Sequence, residues 1–247
     1  MDLDVSKSYV RQGLRLMVAI IAIVVSGPCI YAGGYIGVDN TGQPYKWPGD
    51  IVLRFDQGPL GTLSKAQADA LTLEAMAAWM EPAIPGSNVQ FVRGADLTED
   101  HGDGAGTDPA WDPFGPPDGI TPVIYDQNGV LLESIFGASA ASSVVGATDV
   151  LFPDDRSPAP ITEGLLIMNG NMAPGSGGLF GGLTIDSYRG AIIHEMGHLL
   201  NLGHAQAGLA FTATGYDIGS PLGYLLSPPK IPADYRGMPT MFPTVLP

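Results

Sequence analysis

Residues 194–204 read HEMGHLLNLGH, and they hold three of the four histidines in the chain. On an α-helix, positions i and i+4 lie one above the other on a single face, so His194 and His198 present two imidazoles to the same point in space. That spacing is a chelate for a metal ion. A zinc ion in a catalytic site takes three protein ligands and leaves a fourth position open. The third ligand must come from beyond the helix or from a sharp turn, and His204 is the candidate. Glu195 points about 100° around the helix from His194, which places its carboxylate beside the metal position and not in it, as a general base requires. Asn201 stands where the chain has to leave the helix. After glycine, asparagine tolerates positive φ best, so the backbone is expected to turn there, with glycine an equivalent residue.

Working outward, the helix is expected to start near Asp186 or Ser187, either of which can cap it. Ile192, Ile193, Met196, Leu199 and Leu200 supply its buried surface. Ahead of it lie the glycine-rich APGSGGLFGGL (173–183) and the strand candidates ITEGLLIMN (161–169) and ATDVLF (147–152). PVIYD (122–126) reads as a strand entering a turn at Gln127, Asn128 and Gly129, with VLLESIFG (130–137) as the strand returning from it. Nearer the start, Ile51, Leu53 and Phe55 alternate as in a half-buried strand, and NVQFV (88–92) offers another. Between those two, SKAQADALTLEAMAAWM (64–80) carries Ser64 as an N-cap, Ala66, Ala70, Leu73, Ala77 and Met80 at helical spacing, and Pro82 as a stop. Residues 94–119 mix carboxylates with glycines and prolines and read as one long loop, and residues 205–240 are loop-like as well.

Composition sets the bounds. The 247 residues suit one ordinary domain with a sizeable core. A net charge of -14, with 25 acidic and 11 basic residues, argues against a nucleic-acid partner, which demands clustered Lys and Arg. Lys7, Arg11 and Arg15 precede the apolar run LMVAIIAIVVSGPCIYA, which has the make-up of an export signal and is short for a secure membrane span. Residues 1–32 are therefore expected to be a signal peptide or membrane anchor, and residues 33–247 the functional domain, secreted or held at the cell surface in an extracellular or periplasmic space. The single cysteine, Cys29, excludes an intrachain disulfide.

HEMGHLLNLGH resembles the extended zinc signature of the metzincin metalloproteases, H-E-x-x-H-x-x-G-x-x-H, with Asn201 where the family has glycine. Met241 in MPTMFP resembles the family's Met-turn, a methionine beneath the zinc site, and Phe242 and Pro243 resemble its matrixin form. The order of a strand, a long helix, further strands and then the zinc helix is similar to the matrixin layout over residues 45–243. The resemblance implies an α+β catalytic domain with a mixed twisted sheet, a long helix in the N-terminal half and a zinc-bearing active-site helix. It also implies a C-terminal helix, for which the four residues after Pro243 leave no room, so the domain is expected to be truncated there. In this family an edge strand pairs with extended substrate, and ITEGLLIMN is the segment assigned to that role. His101 and Asp103 echo the start of a structural-zinc motif, but every other histidine is already used, so a second zinc is not expected.

The expected function is that of a secreted zinc endopeptidase in which His194, His198 and His204 hold the metal and Glu195 is the general base. Zinc is the expected cofactor, and the carboxylates of the 99–118 loop leave calcium open as a second. The expected partner is a protein or peptide substrate met by a monomer, with membrane contact only through an uncleaved N-terminal segment. A catalytically inactive binding module on the same scaffold is the alternative, against which the intact Glu195 argues, and a surface adhesion protein with an accidental motif is the third reading.

Overall fold

The computed structural model describes residues 35–39, 41–81, 83–84, 86–102, 118–152, 160–177 and 182–203. Alternation at residues 51–55 yields strand β1 (Ile51–Phe55), with Ile51, Leu53 and Phe55 buried. Helix α1 (Lys65–Trp79) follows, starting where Ser64 marks its entry. The Gln67 side chain accepts hydrogen bonds from the Ser64 N–H and Oγ, each at 2.9 Å, which satisfies an otherwise free donor at the helix start. Strand β2 is Phe91–Arg93, later and shorter than the 88–92 reading. Strand β3 is Thr121–Asp126.

The segment after β3 corrects the sequence reading. Residues Val130–Phe136 form a helix, α2, and not a returning strand, entered from Gly129 at φ 78°. The Leu132 N–H reaches back 2.9 Å to the Asp126 carboxylate, so the last residue of β3 caps the helix that replaces the hairpin. A short helix α3 (Ala140–Ser143), strand β4 (Gly146–Leu151) and strand β5 (Glu163–Asn169) come next, and helix α4 (Ile185–Leu199) closes the described order.

The strands make one five-stranded sheet in the order β2-β1-β3-β5-β4. Pairings β1 with β2, β1 with β3 and β3 with β5 are parallel, and β4 runs antiparallel to β5 with Gly146 opposite Met168 and Leu151 opposite Glu163. The protein is thus a mixed α/β structure around a mixed sheet. Its central strands read as unbroken apolar runs because both faces are covered. On one face Val123, Tyr125, Leu166 and Met168 pack with α1 and α4. On the other, Ile124, Leu165 and Ile167 pack with Leu131 and Leu132 of α2. β5 is therefore an interior strand, and the segment assigned to substrate pairing cannot offer a free edge. β4 lies at the edge instead.

A strap of residues 35–39 and 41–47 crosses the end of α4 and joins the two ends of the described chain. Its tip is tied by the Asp39 carboxylate, which accepts from the N–H groups of Thr41 and Gln43 at 2.8 and 2.9 Å. Tyr45 stacks on Phe152 with ring centroids 4.5 Å apart, and Tyr35 bridges Leu202.

Candidate metal centre

Helix α4 begins earlier than Asp186 or Ser187. Its N-cap is Thr184, whose hydroxyl accepts from the Ser187 N–H at 3.1 Å, and Asp186 falls in the first turn. Ile192, Met196 and Leu199 are fully buried, whereas Ile193 and Leu200 are partly buried against the same core. That apolar stripe, locked against α1 and β4, fixes the rotation of the helix about its axis and hence the direction of its polar side chains.

His194 and His198 come together as their spacing requires. Their ring centroids are 4.7 Å apart and the planes are nearly perpendicular, at 89°. His194 is buried. The His198 Nδ1 lies 2.7 Å from the Leu202 carbonyl oxygen. A carbonyl can only accept, so Nδ1 carries a proton, and in the neutral ring the lone pair is then on Nε2, the tautomer for binding a metal through Nε2.

Glu195 is held by an element with no signal in the motif. The Thr148 hydroxyl of β4 lies 2.9 Å from the Glu195 carboxylate and 3.0 Å from the Glu195 carbonyl oxygen. Gly146 leaves the space beside it, since a Cβ there would come within 3.0 Å of Glu195 Cγ. Burial pushes the Glu195 carboxyl up to about 7, with the Thr148 hydrogen bond pulling the other way. A carboxyl poised near neutrality is suited to take up and release a proton.

The C-terminus of α4 is tied on every side. The Asn201 N–H donates to His198 O at 2.8 Å and the Leu202 N–H to Gly197 O at 3.0 Å, the paired pattern of a Schellman turn. Asn201 occupies its left-handed position at φ 67°, as the sequence led us to expect. The expectation that glycine would serve equally is corrected by the side chain, which is fully buried. Asn201 Oδ1 accepts from the Gly37 N–H at 2.7 Å, and Nδ2 donates to the carbonyls of Gly37 and Tyr45 at 2.8 and 3.0 Å. Losing these partners costs about 1–3 kcal/mol for each buried group left unpaired. The left-handed strain that glycine relieves is roughly 1 kcal/mol, so the amide outweighs the backbone. Two indoles complete the support: Trp47 Nε1–H donates to Leu199 O at 2.7 Å and Trp79 Nε1–H to Ile193 O at 2.9 Å.

His204, Met241, Cys29 and Asp103 lie outside the described residues, as does the 1–32 leader. Among the described residues no group of three or more His, Cys, Asp and Glu side chains gathers as a metal site, and no helix is long and apolar enough to cross a membrane. His101 is engaged through its backbone, its N–H donating to the buried Asp56 carboxylate at 2.9 Å. Thr148 and the Asn201 amide are the site residues that sequence reasoning missed. The only signal for either was the asparagine itself, standing where glycine is the cheaper turn residue. Comparisons with protein-family models, with curated proteins and with solved structures find no match to this chain.

Proposed function

We propose that the protein is a zinc-dependent endopeptidase of metzincin type, exported to the cell surface or beyond. The observation that carries this reading is the constellation on α4: two imidazoles in edge-to-face contact, one with its Nδ1 fixed by a carbonyl, and on the same helix the Glu195 carboxyl, held by Thr148 and pushed up to about 7 by burial. Nitrogen donors in this arrangement fit zinc. His194 and His198 would hold the ion with His204, the histidine two residues past Leu202, as the third ligand. A zinc ion supplies Lewis acidity for a scissile carbonyl and acidifies a water.

The chain's own residues do the rest. Glu195 accepts the proton of the attacking water and returns it to the departing amine, so no acyl-enzyme is needed. Thr148 keeps the carboxyl in one place through that cycle. β4, which carries Thr148 and is the edge strand of the sheet among the described residues, is the strand on which an extended peptide would pair, a grip that does not depend on side-chain sequence. The order of elements, a strand, a long helix, further strands and then the motif helix, supports the same reading.

The test is zinc analysis of the purified chain paired with a casein hydrolysis assay before and after chelation. About one zinc per chain and activity abolished by chelator and restored by zinc are expected. Full activity in a zinc-free protein ends the proposal.

A further inference from the structure

We propose that Asn201 and the strap, through Tyr35, Ile36, Gly37 and Tyr45, are positioning residues for the candidate metal site, acting through His198. This rests on the reading of His194 and His198 as ligands. The orientation of His198 depends on the Leu202 carbonyl, 2.7 Å from Nδ1. Leu202 lies past the end of α4, where no helical ladder holds it, so its position is set by what grips residues 201 and 202. From the helix side the grip is the pair of turn hydrogen bonds to Gly197 and His198. From the other side it is the strap: the Ile36 N–H donates to Asn201 O at 3.0 Å, and Tyr35 bridges Leu202.

The Asn201 amide joins those two sides. It spends its acceptor on the Gly37 N–H and its donors on the carbonyls of Gly37 and Tyr45. A residue needed only to turn the backbone has no use for three bonds to a segment so distant in sequence. The strap is seated closely as well, since a Cβ on Gly37 would lie 2.7 Å from the Phe152 ring and 3.0 Å from that of Tyr45. The chain of contact therefore runs from strap to amide, from amide to turn, from the Leu202 carbonyl to Nδ1, and so to the lone pair on Nε2. Outer partners of metal-bound imidazoles change affinity by roughly 10–100-fold when lost.

Two variants of the full chain separate this role from general stability. Asn201→Gly keeps the left-handed turn and deletes the amide; Gly37→Ala shifts the strap and leaves the turn sequence untouched. Zinc affinity is read by competition with a chromogenic chelator at a temperature where circular dichroism reports a folded chain. The imidazole ¹⁵N shifts of His198 are read in the metal-free protein. Both variants are expected to weaken zinc binding about tenfold or more and to turn the His198 shifts from the Nδ1–H form toward a tautomer mixture. Unchanged affinity and shifts in a folded Gly37→Ala chain overturn the proposal, and that variant decides alone if Asn201→Gly does not fold. A wild-type chain that binds no zinc refutes the metal reading, and the ¹⁵N shifts then still decide whether strap and amide orient His198.

Discussion

Helices α1 and α4 are each 15 residues long and pack against one another, yet they finish differently. At the end of α1 the chain goes into an extended Met80, whose N–H donates to Ala77 O, and the Ser87 hydroxyl donates to Trp79 O at 2.8 Å, all within the next few residues of the chain. α4 ends in a paired turn, a buried amide, an indole and a strap. α4 also buries the larger apolar stripe, with Tyr188, Ile192, Met196 and Leu199 against the Ala68, Leu71, Ala75 and Met76 of α1. The polar cargo differs too: α1 presents mainly apolar side chains to the core, whereas the last turns of α4 carry two imidazoles, whose lone pairs, unlike an apolar surface, have a direction.

The comparison breaks most sharply at Glu195. Glu195→Ala is expected to lower kcat by about two to four orders of magnitude with zinc content unchanged, because only proton transfer is lost. No polar residue of α1 should have such an effect, and activity near wild type would mean another base. Next in size is Asn201→Val, which combines a β-branched residue at positive φ with loss of the amide. A loss of roughly 3 kcal/mol or more in denaturant unfolding is expected, and a change below about 1 kcal/mol would show that the clamp contributes little.

A smaller effect has the opposite sign. The Glu195 carboxyl is raised from 4.5 to about 7, so between those values the folded chain binds more protons than the unfolded one. Stability from this group is therefore present at low pH and is lost as pH rises through the window. Glu195→Gln is neutral throughout and escapes the loss. The metal-free variant should melt above metal-free wild type at pH 8, by up to about 3 kcal/mol, and match it near pH 4. Equal melting at pH 8 would count against a desolvated carboxyl. Smallest of all, Ser64→Ala at the start of α1 should cost about 1 kcal/mol in thermal unfolding with zinc affinity unmoved.

What could be read in advance follows the range of the interaction. The α1 cap, the i to i+4 histidines and the left-handed Asn201 are written within a few residues, and all three hold in the structure. VLLESIF was misread because its apolar residues fit either period over so short a run, and the Asp126 cap that decides for helix comes from the preceding strand. Both β4 and β5 are legible as strands, and only the edge role assigned to ITEGLLIMN fails, for a reason the composition shows. The unbroken GLLIM of β5 marks a strand covered on both faces, while the mixed GATDVL suits an edge. Thr148 meets Glu195 across 47 residues, and no local pattern announces a contact of that kind.

The Asn201 clamp also bears on when the site is built. Its bonds to Gly37 span 164 positions, close to the full length of the described chain. Such closures form late, since intervening segments must first be ordered before the loop entropy is recovered. During vectorial synthesis the strap emerges early and the Asn201 amide is not there to meet it until α4 follows, so the turn behind His198 takes shape only when the rest has folded. On the proposed zinc reading, tight metal binding would be a late event of folding, and the moment of capture would serve as a clock for the completion of the fold.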